Sequence, residues 1–375
     1  YSPPPGPELT WRLDTVAVVG GTADGEDAYE FDQVSDAGLA GDPAGRLYVL
    51  DGQGKRVLVY DSAGRHVATA GGEGSGPGEL QGPTGLAVGA DGALWILDVA
   101  NRRVQLFGPD GAPLRTLPFP SDELAPVGRL LPLEDGYVAA LATFFFRPGA
   151  GAESPPVPLA RFGPDGAVTD TLWTAPARPR RQVTMEGPSG PFFMLQTPTF
   201  FPLFRWAAFS DGSVVLSDTA AYVVHFVDPD GRHVRTVRRG PPPRDVTEGD
   251  REAARERLRS DFSMPSLPGL PDREAMLRAR LDAMTFESTV PRIQGIRVDG
   301  RDRLWVAVAE DTPGGAADRI DLYDRGGRLL GEIRDPPFFP DLLYADDLAA
   351  LVERGELDVQ RILVLRWRVE AAGAS

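Results

Sequence analysis

Apolar and polar positions alternate along this chain in short runs separated by turns, and one arrangement of them recurs. An apolar run, a two- or three-residue turn and a second apolar run are written as LAGDPAGRLY (39–48), LAVGADGALW (86–95), WAAFSDGSVV (206–215) and IRVDGRDRLW (296–305), with a weaker copy RLLPLEDGYV (129–138). A second turn follows each copy: YDSAGR at Tyr60, FGPDGA at Phe107 and again at Phe162, VDPDGR at Val227 and YDRGGR at Tyr323. The spacing from Gly45 to Gly64, Gly92 to Gly111 and Gly212 to Gly231 is 19 residues each time. Period-2 alternation marks strands, and nineteen residues hold two of them with a hairpin between. Each unit is therefore a four-stranded meander, and repeats of this length and content predict an all-β fold, a β-propeller.

Five units run from about 35 to 71, 83 to 117, 127 to 173, 203 to 237 and 292 to 333. The segment TWRLDTVAVVGG (10–21) has the character of a fourth strand without its own repeat, while the C-terminal part, 337–368, has strands but no clear fourth one. The economical solution is a sixth blade completed by pairing residues 10–19 with the C-terminal strand near 362–367. Such closure removes the two open edges that a linear array would expose. The chain thus reads as a Pro-rich tether at 1–9 followed by one six-bladed propeller over 10–375.

Three stretches do not fit the repeat. FRPGAGAESPP (146–156) interrupts the third unit. Residues 174–202 run into the aromatic stretch PFFMLQTPTFFPLF (191–204), whose phenylalanines 192, 193, 200, 201 and 204 either pack locally or form a patch that needs a partner. Between units four and five, about 245–285, the pattern turns helical. Thr247 with Asp250 three residues on is a capping signal, and DREAMLRARLDAM (272–284) places Leu277, Leu281 and Met284 on one face, with the Pro-rich SMPSLPGLP connector before it. Two helices inserted here serve as an outer brace or as a lid over the pore mouth.

The bulk composition narrows the class. A net charge of −15 opposes a nucleic-acid partner, which draws on a basic surface. No apolar run approaches the roughly 18 residues of a membrane span. The absence of cysteine removes disulfides, thiolate metal sites and cysteine nucleophiles. Residue 1 is Tyr and the start, YSPPPGPEL, is Pro-rich, which predicts a secretory or lipoprotein leader ahead of it, a possible membrane tether and an extracytoplasmic location.

The stretch GGEGSGPGELQGPTGLAV (71–88) followed by GALWILDVANRRVQLF (92–107) resembles the NHL repeat family. The resemblance rests on Gly76-Pro77-Gly78-Glu79, on Pro83 to Val88, on Asp98 and on Asn101-Arg102-Arg103-Val104. The first unit repeats it with Asp51 and Lys55-Arg56-Val57, the fourth keeps Asp218, and the fifth keeps Arg319-Ile320 but has Val308 in place of the acid. The layout is similar to secreted six-bladed propellers of bacteria that carry no assigned activity. In chemical terms Asp51, Asp98 and Asp218 are loop fasteners, each a blade apart rather than converging on a metal.

Catalytic signals are sparse. The three histidines, His66, His225 and His233, fall on strands away from the pore, and no spaced metal-ligand set, nucleophile elbow or phosphate loop is present. No catalytic residue, metal ligand or cofactor is therefore assigned. The starts of the inner strands carry Asp36, Thr84, Arg129, Arg205, Arg292 and Gln294. One acid against three arginines disfavours a cation and suits an anion or carboxylate held by guanidinium groups, unless local acids neutralise them. The reading is a monomeric extracytoplasmic binding or scaffolding propeller whose partner is a protein or a small anionic ligand. The alternative is a pore-centred lyase or lactonase-like enzyme.

Overall fold

The computed structural model describes residues 6–20, 31, 34–121, 124–143, 156–177, 179–188, 190–262, 271–310, 317–354 and 360–371. The first part of the Pro-rich start and most of the FRPGAGAESPP and SMPSLPGLP stretches lie outside them. The architecture is the expected six-bladed β-propeller with two helices between blades four and five.

After β1 (Leu9–Gly20), blade one comprises β2 (Leu39–Gly41), β3 (Leu47–Asp51), β4 (Arg56–Tyr60) and β5 (His66–Gly71). Blade two has β6 (Pro83–Val88), β7 (Leu94–Asp98), β8 (Arg103–Phe107) and β9 (Pro113–Pro118). Blade three has β10 (Leu124–Leu133), β11 (Gly136–Thr143), β12 (Val157–Phe162) and β13 (Val168–Ala175). A separate hairpin, β14 (Arg181–Gly187) and β15 (Gly190–Gln196), precedes blade four, which has β16 (Arg205–Ala208), β17 (Val214–Ser217), β18 (Val223–Val227) and β19 (His233–Arg238). Helices α1 (Glu248–Asp261) and α2 (Arg273–Asp282) lead to blade five, with β20 (Ile293–Val298), β21 (Leu304–Val308), β22 (Arg319–Tyr323) and β23 (Leu329–Arg334). Blade six holds β24 (Leu342–Tyr344), β25 (Leu348–Arg354) and β26 (Gln360–Ala371). β1 pairs antiparallel with β26, from Leu9 opposite Ala371 to Gly20 opposite Arg361, and supplies the outer strand of that blade.

The packing follows from the period of two. In β7, Leu94 and Ile96 face blade one, while Trp95 and Leu97 face blade three. In β3, Leu47 and Val49 pack on blade six and Tyr48 and Leu50 on blade two. Tyr48, Trp95 and Trp305 thus each reach from their own blade to the next, and Trp305 meets Trp367 edge-on at 5.0 Å. Because both faces of these strands are covered, each reads as a continuous apolar run. The apolar core is correspondingly divided among the interfaces between neighbouring blades, including that between blades six and one. Full burial of each large aliphatic side chain contributes about 1.5–3 kcal/mol.

First strands of successive blades touch one another, β2 with β6 and β24, β6 with β10, and β20 with β16 and β24, so these strands line the axis. β6 and β10 come within backbone contact at Gly85 and Gly128. A Cβ on Gly85 would lie 2.3 Å from the Gly128 carbonyl oxygen, which leaves room there for glycine alone.

Residues 6–9, the end of the expected tether, dock on blade five. Pro7 O accepts from Glu332 N at 2.9 Å, and Gly6 N donates to the Glu332 carboxylate at 2.9 Å. The two insertions also meet each other. Thr199 N donates to Thr285 O at 2.7 Å and Glu287 N to Thr199 O at 2.9 Å, while Gln196 Nε2 donates to Arg280 O at 3.1 Å. Thr247 and Asp250 form the capping box expected for α1, with Arg244 holding the Asp250 carboxylate at 2.6 and 2.9 Å. On α2 the buried anchor is Met276 rather than Leu277, Leu281 or Met284. Both insertions sit in connections from the outer strand of one blade to the inner strand of a later one. In a four-stranded antiparallel meander, such connections share the face where inner strands begin.

Candidate functional site

Four charged side chains and one backbone carbonyl gather across the axis. Asp36 lies in a short 3-10 turn, Asp36–Gly38, just ahead of β2. Its Oδ2 accepts from Arg129 Nη2 of blade three at 3.4 Å and from Arg297 Nη2 of blade five at 3.1 Å. The same two arginines also share the carbonyl oxygen of Asp341 in blade six, Arg129 Nη2 at 3.1 Å and Arg297 Nε at 2.9 Å. Blades one, three, five and six are not all neighbours, so these contacts span the centre of the ring. Arg297 also lies over the Phe339 ring at 5.5 Å, a cation–π contact.

Arg205, the first residue of β16, completes the set from blade four. It feels the charges of Asp36 and Arg129, yet it has no hydrogen bond or ion pair among the described residues. The Asp341 carboxylate is engaged elsewhere, accepting from Val352 N at 2.8 Å.

The electrostatics are unbalanced. Burial would raise the Asp36 carboxyl, but Arg129, Arg297 and Arg205 outweigh it and hold it below its ordinary value. Burial pushes Asp341 upward, away from its charged form. Burial lowers both Arg205 and Arg297 from the usual guanidinium value, and the neighbouring Arg129 adds to the shift in each. Three guanidiniums thus face two carboxylates, of which Asp36 is the one hydrogen-bonded to them, and the low-dielectric surroundings magnify the positive charge left over. The arrangement can accept a further anion through the Arg205 fork, a geometry suited to carboxylate, phosphate or sulfate.

Of the residues read from the sequence, Asp36, Arg129 and Arg205 come together here. Arg292 does not. Its guanidinium donates to the carbonyls of Pro242 at 3.1 and 3.3 Å, Ala309 at 3.4 Å and Glu310 at 3.5 Å, tying the segment before α1 to blade five. The bulge between Ile293 and Gly295 separates it from the regular part of β20, and the axial arginine of that blade is Arg297. Thr84 and Gln294 occupy matching bulges, between Pro83 and Gly85 and between Ile293 and Gly295. Thr84 is exposed, Gln294 Nε2 is buried without a hydrogen-bond partner, and neither side chain is hydrogen-bonded to the charged cluster among the described residues.

Arg297 and Asp341 were not singled out by the sequence reading. For Arg297 a signal existed. It pairs with Trp305, just as Ala40 pairs with Tyr48, Ala87 with Trp95 and Ala207 with Val215. An arginine in a place where three other blades have alanine is the departure to look for. Asp341 precedes a three-residue inner strand, β24, too short to show periodicity.

Asp51 and Asp98 fasten their loops. Asp51 accepts from Gly54 N at 3.1 Å and pairs with Arg56 at 3.2 Å, and Asp98 accepts from Gln81 N, Gly82 N and Asn101 Nδ2 at 3.1, 2.9 and 2.6 Å. Asp218 is exposed and accepts only from Ala220 N, at 3.3 Å, among the described residues. His225 and His233 share Thr236 Oγ1 at 3.0 and 2.8 Å on the outer half of blade four, and His66 reaches Thr69 Oγ1 at 2.9 Å in blade one.

A closed ring of six meanders with charge gathered on its axis defines a six-bladed β-propeller, and comparison with known proteins agrees. Residues 30–136 match the DUF5128 family, a 6-bladed beta-propeller. The structure is similar to a candidate exported protein of Bacteroides fragilis, with 13% identity, a TM-score of 0.50, and coverage of 98% of this chain and 99% of that one. It is also similar to a DUF4221 family member from Bacteroides vulgatus, with 12% identity, a TM-score of 0.52, and coverage of 96% and 99%. A gluconolactonase from Xanthomonas campestris aligns over 97% of this chain and 95% of its own at 17% identity, but its TM-score of 0.44 is too low for any inference about chemistry. No curated protein matches the sequence. No helix among the described residues is long and apolar enough to cross a membrane.

Proposed function

We propose that this protein is an extracytoplasmic binding propeller that holds an anionic ligand on its axis. The observation that carries the reading is Arg205, a guanidinium within electrostatic reach of Asp36 and Arg129 with no bonded partner among the described residues. An excess of arginine at the centre of a ring is costly until an anion joins it. The candidate exported name of the Bacteroides fragilis relative agrees with the location. A pore-centred lyase or lactonase that held a divalent cation on the axis would have to place it among Arg129, Arg205 and Arg297, where repulsion opposes it.

The test is thermal unfolding with phosphate, sulfate or succinate at constant ionic strength against chloride. An anion that binds at one hundred times its dissociation constant adds about 2.7 kcal/mol. Arg205→Ala abolishes that gain. If no anion raises the wild-type melting temperature above the chloride control, and none does so in a variant relieved of Asp36, the axial reading is wrong.

A further inference from the structure

We infer that Asp36 is a built-in counter-ion that competes with the ligand for the axial arginines, so the site binds a compact oxyanion by displacing this carboxylate. The inference rests on the axis being an anion site and adds how that site is regulated. Three observations support it.

The first is position. Asp36 Oδ2 sits where the forks of Arg129 and Arg297 converge, 3.4 and 3.1 Å away, which is where a ligand oxygen would be held most strongly. The second is anchoring. The two arginines have a second acceptor in common, the Asp341 carbonyl, and Arg297 also donates to its own Ile296 O at 2.9 Å and rests on Phe339. None of these contacts involves Asp36. The third is freedom. The Asp36 side chain is 42% exposed, against 13% for Arg297 and 26% for Arg129, and its only polar contacts among the described residues are those two guanidiniums. The acid is the member of the cluster with room to leave.

An incoming oxyanion meets Arg205 first, because that fork is unoccupied. It then takes the Arg129 and Arg297 donors as the Asp36 carboxylate turns outward. The proton count is unchanged in this exchange of one ionised acceptor for another. Displacement makes the apparent affinity lower than the intrinsic one, by the fraction of time Asp36 leaves the arginines free.

Isothermal titration of phosphate, sulfate and succinate into wild type, Asp36→Asn and Arg205→Ala tests this. Asparagine keeps the size of the side chain and removes its charge. The expected result is about tenfold tighter binding to Asp36→Asn than to wild type, or binding by Asp36→Asn alone, and none to Arg205→Ala. Equal affinity of wild type and Asp36→Asn overturns the displacement while leaving the axis an anion site. Binding by neither overturns both. If Asp36→Asn fails to fold in chloride, the same titration is run on Asp36→Ser and both variants are refolded in sulfate. Rescue by sulfate supports displacement, and failure to fold with or without anion shows that Asp36 is a fixed structural counter-ion.

Discussion

Two arginine clusters in this molecule are built from similar parts and come out differently. Between blades four and five, Arg239 pairs with Asp321 at 2.6 Å and with Glu332, and Arg319 pairs with Asp321 at 2.7 Å and with Glu310. Arg334 adds a pair with Glu332 at 3.0 Å, and Tyr222 donates to Asp321 at 2.7 Å. Three guanidiniums meet three carboxylates there. On the axis, three guanidiniums meet Asp36 and a second acid, Asp341, whose carboxylate points elsewhere. Burial lowers Arg239 in principle, but Asp321 and Glu332 overcome it and raise the group above its ordinary value. Arg205 and Arg297 move the opposite way. The same side chain is therefore held above its ordinary value where its charge is matched and pushed below it where burial and like charge win.

The sharpest break comes from the matched cluster. Asp321→Ala leaves Arg239 and Arg319 buried without their main partner, and loss of about 3–5 kcal/mol is expected from chemical denaturation. If the loss is below 1 kcal/mol, the pairs contribute little and the contrast fails. An acid titration is the next test. Burial would raise the Glu332 carboxyl, but hydrogen bonds from Arg239 and from Gly6 N and the charges of Arg239 and Arg319 hold it below its ordinary value. A depressed carboxyl stabilises the fold above its unfolded value, and the benefit disappears as the pH falls through the folded value. Wild type should lose stability below about pH 4.5, and Glu332→Gln should lose less over the same window. The smallest effect belongs to Arg205→Ala in chloride, a change of about 1 kcal/mol or less, since no bonded partner is stranded. A cost near that of Asp321→Ala would reveal a structural role for Arg205.

Much of the architecture was readable because each inter-blade interface repeats a short pattern. Continuous apolar runs such as LWILD and LWVAV, with turns such as the one at Gly92, φ 79°, mark strands whose two faces serve two neighbours. What escaped lacked that repetition. β24 is three residues long, and the β14–β15 hairpin takes its order from pairing within an insertion, where Phe193 and Leu195 stay on the exposed face. The axial site was half legible. Asp36, Arg129 and Arg205 could be placed by their position at strand starts, whereas in blade five Arg292 is taken up by the carbonyls of Pro242, Ala309 and Glu310 and it is Arg297, past the bulge, that reaches the centre.

Ring closure also sets a schedule. Leu9 waits for Ala371, its partner across the last blade. With elongation at about 5–20 residues per second, the ribosome needs roughly 20–70 seconds to deliver the second after the first. Five blades can assemble during that interval while β1, carrying Trp11, has no place in the sixth. The newborn chain therefore spends most of its synthesis with one unsatisfied strand, and residues 9–20 are where pairing with the edge of another chain would begin.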